Sequence, residues 1–200
     1  MNIPNVNKSD FWNQKYINDD FGWDISSVTP IFLDYFSKIN DKQDIFVPGC
    51  GLGHDAIYLA QQGHNVTALD FSSFAINHIK QKYNNSNLET IKGDFFQIDS
   101  NYFNKFDIIL EYTFFCAINP SKRSLYVDLI HELLKKKGIL VAVFIPVNKL
   151  DNDEGPPFGV DINKVIQMFS NKFRIIKNEK SSLSIEPRKD SELFVVMEKI

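Results

Sequence analysis

Between Asp44 and Asp70 the chain reads DIFVPGCGLGHDAIYLAQQGHNVTALD, and this stretch constrains the fold more than any other. Asp44 to Val47 is a short apolar run, and Gly49, Gly51 and Gly53 follow it at once. From His54 to Gln62, Ala56, Ile57, Leu59 and Ala60 recur at helical spacing, and Gly63 suits a helix C-terminus. Asn65 to Leu69 is a second apolar run that closes on Asp70. The order is strand, glycine loop, helix, turn, strand, acid. Bare glycine backbone lets a ligand lie against peptide at a helix N-terminus. Asp70 stands 21 positions after Gly49, where a carboxylate at a second strand end accepts hydrogen bonds from ribose hydroxyls. The stretch predicts a nucleoside-binding βαβ unit.

The rest of the chain repeats that alternation. Ser72 or Ser73 is expected to cap a helix through Phe74, Ala75, Ile76 and Ile79, and Leu88 to Lys92 reads as a third strand ending on Gly93-Asp94-Phe95-Phe96. Phe106 to Leu110 is a fourth strand, and Glu111 to Cys116 is expected to leave it. Ser121 to Lys136 is amphipathic, with Gly138 ending the helix and Lys135-Lys136-Lys137 favouring its dipole. Ile139 to Ile145 is a fifth strand, Asp161 to Phe169 a short helix, and Phe173 to Asn178 with Glu192 to Met197 a closing strand pair. An α/β fold follows, with a seven-stranded, mostly parallel sheet and a terminal antiparallel pair. Before it, Ser9 or Asp10 is expected to cap a helix through Phe11, Trp12 and Tyr16, and Thr29-Pro30 opens another. Residues 1–40 then form an N-terminal helical cap and 41–200 the core of a single domain; the cap either closes over a ligand or covers the sheet edge. Asp151 to Gly159 is either a lid or an exposed connector.

Composition bounds the partners. A net charge of −3 with no basic stripe argues against nucleic acid. Two Cys and four scattered His give neither a disulfide framework nor metal-ligand spacing, so no metal is expected. His54 and His64 read as structural or solvated. The longest apolar run, Ile139 to Val147, is too short for a bilayer, and the polar start lacks a signal-peptide core, so a cytoplasmic monomer is expected. Eighteen Phe is high for 200 residues, and several of them fall near proposed loops, where an apolar pocket would use them.

The glycine loop, the acid and the closing strand pair resemble a class I S-adenosylmethionine-dependent methyltransferase. More narrowly, the chain resembles the thiopurine methyltransferase superfamily, especially its halide, thiocyanate and thiol methyltransferase branch. The matching stretches are Phe11-Trp12, Trp23-Asp24, Thr29-Pro30, Val47-Pro48-Gly49-Cys50-Gly51, Leu69-Asp70-Phe71-Ser72, Gly93-Asp94-Phe95-Phe96, Tyr112 to Ile118 and Gly155-Pro156-Pro157-Phe158. His54 stands where a dinucleotide fingerprint needs a small residue, and Glu111 where relatives commonly carry Asp. The resemblance implies S-adenosylmethionine as cofactor and S-adenosylhomocysteine as product. It implies that Gly49, Cys50, Gly51 and Gly53 pass under the methionine part. Asp70 would hold the ribose, with Ser72 beside it, Phe71 would flank the adenine, Asp94 would accept from its amino group, and Phe95 and Phe96 would stack nearby. Glu111 and Tyr112 would position groups next to the sulfonium, and Trp12 and Trp23 would close the site. Tyr112, Phe115, Cys116 and Phe158 would form the acceptor pocket, with Cys116 a packing residue; Arg123, in the first turn of its expected helix, either helps to attract an anion or lies on the surface.

Methyl transfer from a sulfonium to a soft nucleophile needs alignment more than acid–base groups, consistent with the lack of a nucleophile–base pair in the sequence. The expected acceptor is a small thiol, bisulfide, thiocyanate or halide. A larger thiol, a thiopurine, or a tellurium or selenium oxyanion is the alternative. A non-catalytic nucleoside-binding module or a dinucleotide oxidoreductase is the distant one.

Overall fold

The computed structural model describes residues 5–149 and 155–200. The strands are β1 (Asp44–Pro48), β2 (Asn65–Asp70), β3 (Leu88–Lys92), β4 (Phe106–Tyr112), β5 (Leu134–Phe144), β6 (Phe173–Glu179) and β7 (Leu193–Lys199). Among the described residues they form one sheet in the order β3-β2-β1-β4-β5-β7-β6. β1 to β5 run parallel, and β7 pairs antiparallel with both β5 and β6. The chain order reverses between β1 and β4, and the strand ends on either side of that point open a crevice.

Side chains alternate across the sheet, so each face has its own core. Phe46, Ile109, Leu140, Ala142 and Val195 point to the face covered by the helices α5 (Arg123–Leu133) and α6 (Ile162–Phe169). Ile45, Val47, Ile108, Leu110 and Val141 point to the other, with α2 (Pro30–Phe36), α3 (His54–Gln61) and α4 (Ser73–Lys82). Pro30 sits in the first turn of α2, as Thr29-Pro30 predicts. The remaining helix, α1 (Ser9–Ile17), lies against α4, and its N-cap is Lys8 without a side-chain bond rather than Ser9 or Asp10.

Three expectations on secondary structure need correction. β4 continues through Glu111 and Tyr112, which pair with Ala142 and Val143 instead of leaving the sheet. The helix expected up to Lys136 stops at Leu133, and Lys135 to Lys137 belong to β5. Leu134 is fully buried opposite Phe106, and Lys135 Nζ reaches Asp44 Oδ2 at 2.8 Å and Asp107 Oδ1 at 2.9 Å. Burial and a tie between β1 and β4 thus outweigh helix continuation there. Gly138 lies within β5, not at a helix end. Of the expected loop, positions 151–154 lie outside the described residues.

Candidate active site

The glycine loop is built as β1 ends. Gly49 has φ +58°, and a Cβ there would lie 2.3 Å from the Phe114 ring. Asp70, at the end of β2, closes the loop from outside. Its Oδ2 accepts from Gly51 N at 2.9 Å and its Oδ1 from Ser72 N at 2.8 Å, and burial pushes its carboxyl upward. The acid read from spacing therefore shapes the loop as well as facing the crevice. Gly53 serves the fold: it caps α3 with φ +80°, and a Cβ would strike Ile79 of α4 at 2.5 Å.

A cavity of about 380 Å³ opens beside this loop, at the carboxyl ends of the strands. Gly49, Gly51, Asp70, Phe71, Asp94, Phe95 and Phe96 line one part of it, with Trp12 and Trp23 across from them. Cys116, Ala117, Ile118, Ile145 and Pro146 form an apolar wall further on. Asp94 caps the turn that follows β3, its Oδ1 accepting from Phe96 N at 2.9 Å. Burial pushes the Cys116 thiol up to about 12, so it packs and does not attack. Cys50 and Tyr112 face a second, smaller cavity of about 70 Å³, which shares Gly49, Gly51, Trp23 and Thr113 with the first. Asp24, Thr29, His54 and Asp55 complete its wall. His54 Nε2 lies 3.2 Å from Asp24 Oδ2, and that contact holds the imidazole above its ordinary range.

Five sequence-derived site residues line neither cavity. Gly53 faces Ile79, as above. Ser72 is buried at the start of α4, where its Oγ accepts from Ala75 N at 3.3 Å and donates to Asn13 Oδ1 at 2.7 Å. Glu111 points under the turn after β4, where backbone amides and Tyr126 hold it. Phe115 lies in the core, 5.2 Å from the Tyr126 ring and 5.3 Å from Phe144. Phe158 is 1% exposed and donates its backbone N–H to Cys116 O at 2.8 Å, behind the wall it was expected to form. The reason is local. Thr113 takes φ +61°, and this reversal sends Phe114 into the cavity and Phe115 into the core. Arg123, expected either near an anion or on the surface, is 5% exposed with its guanidinium 4.7 Å from the Phe115 ring centroid.

Other wall residues were not foreseen. Tyr16 lies one helical turn after Trp12 on α1, which was the available signal, and stacks on Phe74 at 5.3 Å. Arg188 carries no local signal at all. It comes from the turn before β7, donates through Nη2 to Trp23 O at 2.6 Å and through Nη1 to the Tyr112 hydroxyl, and lines the larger cavity. Tyr112 in turn donates to Glu192 Oε1 at 2.7 Å. Burial pushes the Tyr112 phenol far upward, so it stays neutral at any ordinary pH.

A parallel sheet closed by an antiparallel pair, with a glycine loop and an acid at the crevice, is the architecture of class I S-adenosylmethionine-dependent methyltransferases. Solved structures of that class share it. The 1,6-didemethyltoxoflavin-N1-methyltransferase of Burkholderia thailandensis, bound to S-adenosylhomocysteine, superposes with a TM-score of 0.74 at 18% identity, over 100% of this chain and 91% of that one. A TehB-like methyltransferase from Corynebacterium glutamicum gives 0.70 at 20% identity, over 96% and 98%. The sequence narrows the class. The model of the thiopurine S-methyltransferase (TPMT) family matches residues 7–200, and the chain belongs to that family. A probable thiol methyltransferase 2 of Arabidopsis thaliana is 30% identical, over 95% of this chain and 85% of the relative. Thiocyanate methyltransferase 1 of Brassica oleracea is 29% identical over the same shares. A thiopurine S-methyltransferase of Shewanella woodyi is 25% identical over 90% of each. The protein is thus an S-adenosylmethionine-dependent methyltransferase, and the oxidoreductase and non-catalytic readings fall away.

Proposed function

We propose that the larger cavity binds S-adenosylmethionine and delivers its methyl group to a small, soft, anionic acceptor: a thiolate, bisulfide, thiocyanate or halide. The cavity fits the cofactor's chemistry. Gly49 and Gly51 offer bare backbone for the amino-acid part, and Asp70 retains lone pairs for ribose hydroxyls. Phe71, Asp94 and Phe96 offer partners for an adenine edge and face, backed by the buried Phe95. Residues 1–40 act as the cap, through Trp12 and Trp23, over a core of 41–200 in one catalytic unit. The smaller cavity, with Asp24, Thr29 and His54, suits the charged end of the methionine part.

One observation carries the choice of acceptor: among the described residues, the cavity wall has no histidine and no side chain arranged as a general base. Asp70 and Asp94 hold backbone amides, and Asp20 sits 2.6 Å from Lys15 Nζ. Cys116 is held protonated by burial. An acceptor must therefore arrive already ionised. When bound, the cofactor supplies an electrophilic methyl on a sulfonium leaving group. The chain's own part is orientation and the exclusion of water. Cys116, Ala117, Ile118, Ile145 and Pro146 strip solvent from the incoming anion, and Arg188, only 11% exposed and 3.9 Å from the buried Glu192 Oε1, meets it as the cationic half of an ion pair.

The test is S-adenosylhomocysteine release with a panel of bisulfide, a small alkyl thiol, iodide and thiocyanate. Turnover with at least one of them is expected; cofactor binding without turnover on any would sink the proposal. The apolar wall also favours a second acceptor, a thiopurine or other larger aromatic thiol, and competition against bisulfide in the same assay separates the two.

A further inference from the structure

Glu111 is the residue on β4 whose placement the cavity does not explain. It is 1% exposed, yet its carboxylate is fully engaged. Its Oε1 accepts from Phe114 N at 3.0 Å and from Phe115 N at 2.8 Å, while Oε2 accepts from the Tyr126 hydroxyl at 2.7 Å. A carboxylate buried against Phe115 and Tyr126 is a poor way to stabilise a core, because apolar side chains of similar volume pack there without loss of hydration. What the carboxylate adds is direction. It fixes two successive amides of a turn that leaves the sheet through the left-handed Thr113.

That turn decides where the cavity wall lies. Phe114 rests on Gly49, close enough that no Cβ fits between them, and its ring is 5.4 Å from that of Phe95. Phe114 O accepts from Ala117 N at 2.9 Å and Ile118 N at 3.1 Å, which sets the apolar acceptor wall. Cys116 O then receives the N–H of Phe158 at 2.8 Å. A chain of short contacts therefore runs from one carboxylate to both the glycine loop and the acceptor wall.

We propose that Glu111 is a positioning residue for methyl transfer: by holding the Phe114 and Phe115 amides against Tyr126, it sets the Phe114 ring and the Cys116–Ile118 wall at the distance in-line attack requires. It touches neither cofactor nor acceptor. The inference rests on the larger cavity being the site of methyl transfer, as proposed above. Transfer without acid–base groups depends on alignment, and a misplacement of about 1 Å is enough to lose about a hundredfold in rate.

Glu111→Gln and Glu111→Ala, assayed with bisulfide and titrated with S-adenosylhomocysteine by calorimetry, test it. Gln keeps an oxygen for the two amides and an N–H for the Tyr126 oxygen, so E111Q is expected within about threefold of wild type in both measurements. E111A is expected to lose about ten- to a hundredfold in kcat with a smaller change in acceptor KM, and to bind S-adenosylhomocysteine about tenfold more weakly. Phe114→Ala removes the ring but leaves the backbone amides that Glu111 accepts from in place, and it is expected to bind S-adenosylhomocysteine about tenfold more weakly whether or not E111A folds. Wild-type kcat and affinity per folded molecule in E111A, equal impairment of E111Q and E111A, or native affinity in F114A would each overturn the inference. A wild-type protein that binds S-adenosylhomocysteine but methylates nothing in the panel would instead defeat the acceptor assignment, and the affinity measurements would still decide the role of Glu111.

Discussion

At the scale of single residues, buried polar groups carry the functional argument. Arg188 brings a cation to a wall that is otherwise mostly apolar, while bonded to Trp23 O and Tyr112 and paired with Glu192 at 3.9 Å. Arg188→Met is expected to lower kcat/KM for iodide and bisulfide by about ten- to a hundredfold while leaving the Kd for S-adenosylhomocysteine within a few-fold. An equal loss in both would make Arg188 a latch on the Trp23 loop and nothing more. Burial pushes Glu111 up to about 7 and Asp55, which accepts from Thr29, up to about 6. Both keep a proton in the native state at pH values where the unfolded chain has released it. Their contribution to stability is thus full below about pH 4 and is lost as pH rises through 6 to 7. In melts between pH 5 and 8, wild type should lose a few degrees relative to E111Q, whose amide does not titrate. Parallel pH slopes for the two proteins would contradict this.

At the scale of elements, the N-terminal helix is held over the site by few ties. Asn13 Oδ1 on α1 accepts from Ser72 Oγ, the same atom that caps α4. Around them Tyr16 packs between Phe74, Phe21 and Trp23, and the Trp12 and Trp23 rings meet edge to face at 5.6 Å. Two substitutions separate capping from docking. Ser72→Ala is expected to cost about 1 kcal/mol of stability through the lost cap and to raise the KM for S-adenosylmethionine. Asn13→Ala should raise that KM with little change in melting temperature, and an N13A protein as destabilised as S72A would show that α1 is part of the folding core. Ser72 was read from the sequence as a cofactor neighbour; in the structure it lines neither cavity and ties α4 to α1.

At the scale of the whole molecule, the sheet has one edge in β3 and one in β6. β6 carries Arg174, Lys177 and Glu179 and an irregular register between Ile175 and Lys177, devices that discourage edge-to-edge pairing. A monomer is therefore expected by light scattering during gel filtration, and a stable dimer would contradict it. Among the described residues no helix is long and apolar enough to cross a membrane. The fold was largely legible in the chain because its signals are local. Glycines follow β1, apolar runs recur at strand and helix spacing, and Asp70 stands at a fixed distance along a βαβ unit. Even the closing pair of β6 and β7 could be placed within two residues. The crevice side of the site was legible for the same reason, since Gly49, Gly51, Asp70, Phe71 and Asp94 to Phe96 are fixed by the strand ends they follow. The far wall was not. Which of Phe114 and Phe115 faces the cavity depends on the backbone reversal at Thr113, and Glu111 enforces it from beneath. Arg188 reaches Trp23 across 165 positions of sequence. The sequence by itself determined the class of cofactor and the sheet that presents it, because strand-end chemistry is written in short spacings. Only the tertiary structure decided what lines the far wall of the cavity, because that wall is assembled from long-range hydrogen bonds between segments with no common local pattern.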